Sequence, residues 1–171
     1  YPITPATDLL EWLAGVLPKV GGTLVQAEDE LASINMCLGA SFGGTPSLTA
    51  TSGPGLALMM ETVGLAVASE TPVVVIDVMR GGPSTGIPTK SEQTDLNIAV
   101  HGLHGDAPHP VLAPLDIADG VFTTQRAVQL AERLQTAVLV LSDQALAQSR
   151  AIVEAPARSP LAARRAEAGG D

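Results

Sequence analysis

One cysteine, Cys37, and four aromatic residues, Tyr1, Trp12, Phe42 and Phe122, are all that 171 residues contain of either kind. A lone thiol forms no internal disulfide, and it cannot by itself hold a zinc or iron–sulfur centre, which needs several ligands. Any redox cluster that works with this chain is therefore expected on another chain. Basic residues are scarce as well: nine Lys and Arg stand against 18 Asp and Glu, a formal charge of -9. With no basic stripe and few rings to stack on bases, nucleic acid is excluded as a partner. A membrane span is excluded too. The long uncharged stretch from Leu31 to Met60 contains GASFGGTPSLTATSGPG, whose glycines, prolines and hydroxyls would leave backbone groups unpaired in lipid. No basic segment followed by an apolar run opens the chain, and a cytoplasmic location is expected.

What is present is an alternation. Short apolar, β-rich runs at Thr23–Ala27, Ser47–Thr51, Pro72–Val78, Pro110–Ala113 and Ala137–Ser142 are separated by segments of helical spacing at Ala6–Leu17, Glu30–Phe42, Pro54–Ser69 and Asp116–Leu134. VVVID and AVLVLSD are apolar at consecutive positions, as strands buried on both faces must be. The sequence predicts an α/β fold, a three-layer parallel sheet with helices on both faces, over residues 1–150. Residues 151–171, with proline, glycine and clustered arginine and no sustained apolar face, are expected to be a linker or tail toward a further domain.

In open parallel sheets ligands bind beyond the carboxyl ends of the strands. The unusual residues collect there: Glu28, Asp29 and Glu30 after the first run, Ser52, Gly53, Pro54 and Gly55 after the second, Arg80 and GGPSTG after the third. Three consecutive acids suit an ordinary helix N-terminus, where negative charge meets the helix dipole. A carboxylate entering an uncharged run also suits proton transfer, because burial raises its affinity for the proton; the spacing does not decide between Glu28 and Glu30. TSGPG is a strand-turn-helix junction, either a plain tight turn or a place where small side chains let a ligand reach backbone N–H groups. Arg80 has two readings, a pairing with Asp77 or a surface acid, and a planar fork that grips a substrate carboxylate. GGPSTG lacks the GK[ST] ending of a phosphate-binding loop. His101, His104 and His109 come with no carboxylate to complete a metal site, and Ser52 lies outside a GxSxG elbow, so neither a metal centre nor a hydrolase triad is expected.

Five segments together resemble the alpha subunit of 2-oxoacid:ferredoxin oxidoreductases, in its thiamine-diphosphate pyrimidine-binding domain. They are YPITPATDLLEWL at 1–13, QAEDELASINMCLGASFGG at 26–44, the long run from Thr49 to Leu96 containing TSGPG, MRGGPSTGIPTK and SEQTDL, HGDAPHPVLAP at 104–114, and VLVLSDQALA at 138–147. The PTKSEQTDL continuation is more similar to the 2-oxoglutarate branch than to the pyruvate branch. The resemblance implies oxidative decarboxylation of a 2-oxoacid to its acyl-coenzyme A, with electrons passed through iron–sulfur centres to ferredoxin. It implies thiamine diphosphate as cofactor, with magnesium and the cluster held by a partner chain or domain. It also implies a diphosphate-binding beta subunit and a hetero-oligomer. By the same resemblance a glutamate nine residues before a glycine–alanine pair, here Gly39-Ala40, activates the aminopyrimidine, which selects Glu30. Thr4 would hydrogen-bond the substrate, Arg80 would bind its carboxylate, and Pro2 with Ser52, Gly53, Pro54 and Gly55 would line the cofactor pocket. No role passes to the histidines or to Lys90.

The departures from a complete thiamine enzyme are specific. Diphosphate and magnesium binding uses GDG followed further on by asparagine, whereas Gly105-Asp106 continues Ala-Pro. The chain is thus expected to be a part of an alpha subunit, inactive alone. Two rival readings remain: a non-oxidative thiamine-dependent decarboxylase or synthase domain, which shares TSGPG after a helix-opening glutamate, and a non-catalytic ligand-binding domain of the same fold.

Overall fold

A computed structural model describes residues 1–157 and 164–165. Its helices are α1 (Thr7–Val16), α2 (Glu30–Phe42), α3 (Gly53–Ala68), α4 (Leu96–His101), α5 (Ile117–Leu134) and α6 (Gln144–Gln148), and a short 3-10 turn, Leu17–Val20, follows α1. Its strands are β1 (Leu48–Thr51), β2 (Val73–Met79), β3 (Val111–Leu112) and β4 (Ala137–Asp143), all parallel, in the order β1-β2-β4-β3.

Aspartates start three of the helices. Asp29 accepts from the Ala32 N–H at 2.7 Å, Asp116 from Asp119 at 2.8 Å and Asp143 from Leu146 at 2.8 Å, each satisfying a backbone donor that the first helical turn leaves free. α3 begins differently, with Ser52 in the capping position and a proline in the first turn.

Period-2 alternation in β2 and β4 divides the core. Val73, Val75, Met79, Ala137, Leu139 and Leu141 join Ile34, Leu56, Met59 and Val63 of α2 and α3 on one face. Val74, Val138 and Val140 meet Ala127 and Ala131 of α5 on the other. Strands buried on both sides explain the unbroken apolar runs, and the three-layer α/β arrangement is the expected one. Leu139 has no exposed surface at the centre of this sheet. Leu139→Ala is expected to cost about 2–5 kcal/mol, from lost burial plus the cavity left behind. Urea unfolding measures it, and a cost near zero would contradict this core.

One expected strand is absent. Thr23–Ala27 makes no ladder. It and β1 line the same largely apolar cavity of about 530 Å³, with Leu9, Leu10, Leu13 and Leu17 contributing from α1 and its following turn. Paired strands lie about 4.8 Å apart, which leaves no room for such a space. β1 is a four-residue edge strand, and the segment arrives from Gly21, a left-handed turn residue at φ 77°. Its β-branched composition alone, with Val25 mostly exposed, does not secure the pairing. The expected strand at Pro110–Ala113 shrinks to the two residues of β3.

The linker expected over residues 151–171 lies partly outside the described residues. Residues 151–157 are exposed and carry no helix or strand. Arg165 reaches back, its Nε 3.2 Å from Glu132 Oε2 and its Nη1 donating to the Ser41 carbonyl at 3.0 Å.

Candidate functional site

The residues singled out in the sequence gather at the carboxyl ends of β1 and β2. Glu30 is the first residue of α2 and is 8% exposed, whereas Glu28, two residues earlier and ahead of the cap, is exposed. The cap explains the difference. Asp29 turns its side chain back onto the Ala32 N–H, and the helix that starts there carries residue 30 toward α3. A Cβ on Gly55 of α3 would stand 2.7 Å from Glu30 Cγ and 3.1 Å from Glu30 Oε1, and would also overlap the Thr51 hydroxyl. The glycine is therefore what lets the Glu30 side chain lie against the first turn of α3. Gly55→Ala is expected to destabilise by about 1–3 kcal/mol by overpacking. A drop in thermal midpoint reads it out, and an unchanged midpoint would mean that Glu30 packs elsewhere.

Ser52 is fully buried and its Oγ has no hydrogen-bond partner. Gly53 and Pro54 are half-buried beside it. The Ser52 side chain is a buried hydroxyl with hydrogen-bonding capacity unused at the N-terminus of a sixteen-residue helix.

Arg80 follows β2 and is 7% exposed. Among the described residues it pairs with no acid. Its Nη1 donates to the Thr4 carbonyl at 2.6 Å and its Nη2 to the Thr85 carbonyl at 2.7 Å, while Nε is buried without a partner. Among the described residues the only ion pair is that of Arg165 with Glu132. A guanidinium so placed is a desolvated cation with neutral partners and unused N–H donors, the condition in which an incoming carboxylate is bound most strongly. Thr4 itself is exposed. The Tyr1 nitrogen donates to Ser33 Oγ at 3.1 Å, one turn from Glu30, so the segment containing Pro2 and Thr4 runs from α2 to Arg80. Pro2 is half-buried.

The GGPSTG run is not an open cradle. The Gly81 N–H donates to the Lys90 carbonyl, the Ile87 N–H to the Gly81 carbonyl, both at 2.8 Å, and the Gly82 N–H to Glu92 Oε2 at 3.1 Å. The Gly81 and Gly82 donors are thus spent on the loop's own oxygens, one of them a carboxylate. His109 braces the chain, its ring nitrogens 2.8 and 2.7 Å from the Ala107 and Ala99 carbonyls. Among the described residues no three His, Cys, Asp or Glu side chains converge as a metal would require. Burial pushes the Cys37 thiol up, and its Sγ lies 3.3 Å from the Leu48 carbonyl.

Two residues of this rim were not singled out as site residues. Asp77, in β2, is fully buried, and Asp95, at the start of α4, faces it. The signal was the single acid inside VVVIDVM, a charge where both faces of a strand are covered. No helix among the described residues is long and apolar enough to cross a membrane.

Comparisons with known proteins fit this arrangement. The family model described as pyruvate flavodoxin/ferredoxin oxidoreductase, thiamine-diphosphate-binding, matches residues 1–169. The 2-oxoglutarate synthase subunit KorA of Archaeoglobus fulgidus is 48% identical over 156 residues, which are 91% of this chain and 45% of that protein. The 2-oxoglutarate oxidoreductase subunit KorA of Mycobacterium tuberculosis is 49% identical over 147 residues, 86% of this chain and 22% of its own. A solved 2-oxoglutarate:ferredoxin oxidoreductase from Magnetococcus marinus, with 2-oxoglutarate, coenzyme A and succinyl-CoA bound, is similar with a TM-score of 0.84 and 59% identity. That match covers 86% of this chain and 26% of the solved one. The chain spans less than half the length of these relatives. With a match over nearly its whole length, it belongs to the thiamine-diphosphate-binding family of pyruvate flavodoxin/ferredoxin oxidoreductases.

Proposed function

We propose that this chain is the aminopyrimidine-holding part of the alpha subunit of a 2-oxoacid:ferredoxin oxidoreductase. The reaction is the conversion of 2-oxoglutarate, in preference to pyruvate, to its acyl-coenzyme A and carbon dioxide, with ferredoxin reduced. The observation that carries the reading is the buried Glu30 packed on the glycine turn of α3, on the same rim as a buried arginine with no acidic partner. The identity to 2-oxoglutarate enzymes supports the choice of substrate.

The residues present fit the pyrimidine half of thiamine diphosphate. Glu30 offers a shielded carboxylate for a ring nitrogen, held against the glycine turn of α3, and the Ser52 hydroxyl has no partner within the chain. When bound, the cofactor supplies the electron sink on which a 2-oxoacid loses carbon dioxide. Within this chain, Glu30 would hold a proton at pyrimidine N1′, Pro2 and Ser52 to Gly55 would confine the ring, Arg80 would take the substrate carboxylate, and Thr4 would bond the substrate beside it. The diphosphate, its magnesium ion and the iron–sulfur centre fall to a diphosphate-binding beta subunit or another domain, since one cysteine with a raised thiol pKa holds no cluster. The assembly is then a cytoplasmic hetero-oligomer, and residues 1–150 are its pyrimidine domain.

The test is reduction of a viologen dye, dependent on 2-oxoacid and coenzyme A, by the full-length subunit co-expressed with its partner. A kcat/KM larger for 2-oxoglutarate than for pyruvate is the expected result. Consumption of 2-oxoacid without dye reduction would replace this reading by the non-oxidative decarboxylase.

A further inference from the structure

Asp77 has no exposed surface, and neither of its carboxyl oxygens has a donor; Asp95 Oδ2 is buried and equally without one. The Asp95 carboxyl lies against Gly53, two residues beyond Thr51, and Thr51 is the register partner of Asp77, so the two carboxyls meet at the ends of β1 and β2. Two carboxylates have no proton to share, so this contact requires that one of them be an acid. No donor among the described residues is bonded to these three oxygens. The neighbours of Asp77 across the sheet are Thr51 of β1 and Leu141 of β4. The start of α3 presents Gly53, and a Cβ there would stand 2.7 Å from Asp95 Oδ2. From the loop, Glu92 adds negative charge near Asp95 and is itself bonded to the Gly82 N–H. Arg80, three residues beyond Asp77, spends Nη1 and Nη2 on the Thr4 and Thr85 carbonyls, and its Nε is bonded to neither carboxyl group.

The position of the pair is as informative as its chemistry. Residues 81–95 form the loop that leaves β2 and returns at α4, and Thr85, in that loop, holds one arm of Arg80. The loop is fastened at its far end by Gln93, which donates to Asp143 Oδ2 at 2.6 Å, and by Asp95 against Asp77. Gly53 thus leaves room for Asp95 as Gly55 does for Glu30, and each glycine of SGPG admits one carboxyl group.

We propose that Asp77 and Asp95 share one proton as a carboxylic acid–carboxylate pair, and that this pair latches the 81–95 loop onto the rim, making Asp77 a positioning residue for Arg80. Burial first, and the charge of Asp95 second, push Asp77 up to about 9. The sign follows. A folded-state pKa above the unfolded one means that the pair's stabilisation is complete in acid, diminishes as pH rises, and is gone once pH has passed the folded value. The latch is then closed at neutral pH and opens in alkali as the proton leaves to solvent.

Hydrogen exchange of loop 81–95 in the assembled full-length enzyme tests this without any substrate. Wild type is expected to protect the loop at neutral pH and to lose about tenfold or more of that protection, after correction for intrinsic exchange, by about pH 10. Asp77→Asn, whose amide donates to Asp95 at every pH, is expected to keep the loop protected across the same range. Parallel loss in wild type and Asp77→Asn would overturn the proposal. Should the variant not fold, infrared spectra of the wild type decide: a buried carboxylic-acid carbonyl stretch present at neutral pH and lost in alkali is expected, and its absence at neutral pH would overturn the pair. A further arm rests on the proposed function. Asp77→Ala should raise KM for the 2-oxoacid with kcat nearly unchanged, and Asp77→Asn should restore it. If exchange behaves as expected while KM does not move, the latch stands and the role assigned to Arg80 falls.

Discussion

Glu30→Gln in the assembled oxidoreductase is expected to lower 2-oxoacid- and coenzyme A-dependent dye reduction by about 10²- to 10⁴-fold, the usual range for removing a positioned acid–base group. Glu28→Gln is expected to leave the rate nearly unchanged. The contrast follows from one cap. Asp29 is folded back on Ala32, Glu28 lies before it in solvent, and Glu30 lies after it, buried against Gly55. Glutamine keeps the size and removes the charge, so the fold should hold while proton exchange with the pyrimidine fails. Equal losses in both variants would place the effect in the acidic cluster as a whole. An unaffected Glu30→Gln enzyme would remove Glu30 from the chemistry.

How far the residues alone led can be seen strand by strand. β2 and β4 were readable because VVVID and AVLVLSD are covered on both faces and need no other information. α2 was readable to its ends, Glu30 and Phe42, because a capping aspartate and a glycine bracket it. Thr23–Ala27 has the composition of a strand and no ladder, because pairing depends on what lies across an edge, which composition does not encode. α4 was missed, being six residues long and apolar on no sustained face. The candidate site divides in the same way. The TSGPG turn and Arg80 are local to strand ends and Glu30 to a capped helix start, so all three could be placed from order along the chain. The Asp77–Asp95 contact joins residues eighteen positions apart through a loop without regular structure, and only the folded chain brings them together. Arg80 illustrates the limit from the other side. Its proximity in sequence to Asp77 suggested an ion pair, yet Asp77 lies on the α3 face of β2 while Arg80 continues past the strand end, and its bonds go to Thr4 and Thr85 instead.

That geometry sets the other large effect. Arg80→Ala is expected to lower kcat/KM for the 2-oxoacid by roughly 30- to 5,000-fold, the equivalent of about 2–5 kcal/mol for truncating one side of a desolvated, hydrogen-bonded charge pair. Most of the loss should fall on KM, because Arg80 meets the full charge of the carboxylate as the substrate binds, and that charge leaves the carboxyl group only with the departing carbon dioxide. Arg80→Lys should recover little. An ammonium keeps the charge, but it cannot direct separate N–H groups to the Thr4 and Thr85 carbonyls, 2.6 and 2.7 Å away in this structure, and still face a carboxylate with a planar edge. Added guanidinium ion separates the two roles of the side chain. If Arg80 binds the carboxylate, guanidinium should restore part of the alanine variant's activity in a saturable way, and a 2-oxoacid amide, which cannot lose carbon dioxide and serves only as a competitor, should show a much smaller difference in inhibition constant between wild type and variant. If Arg80 serves only to join the Thr4 and Thr85 segments, binding of the acid and of the amide competitor should weaken alike, and the substrate's anchor would have to be sought on another chain.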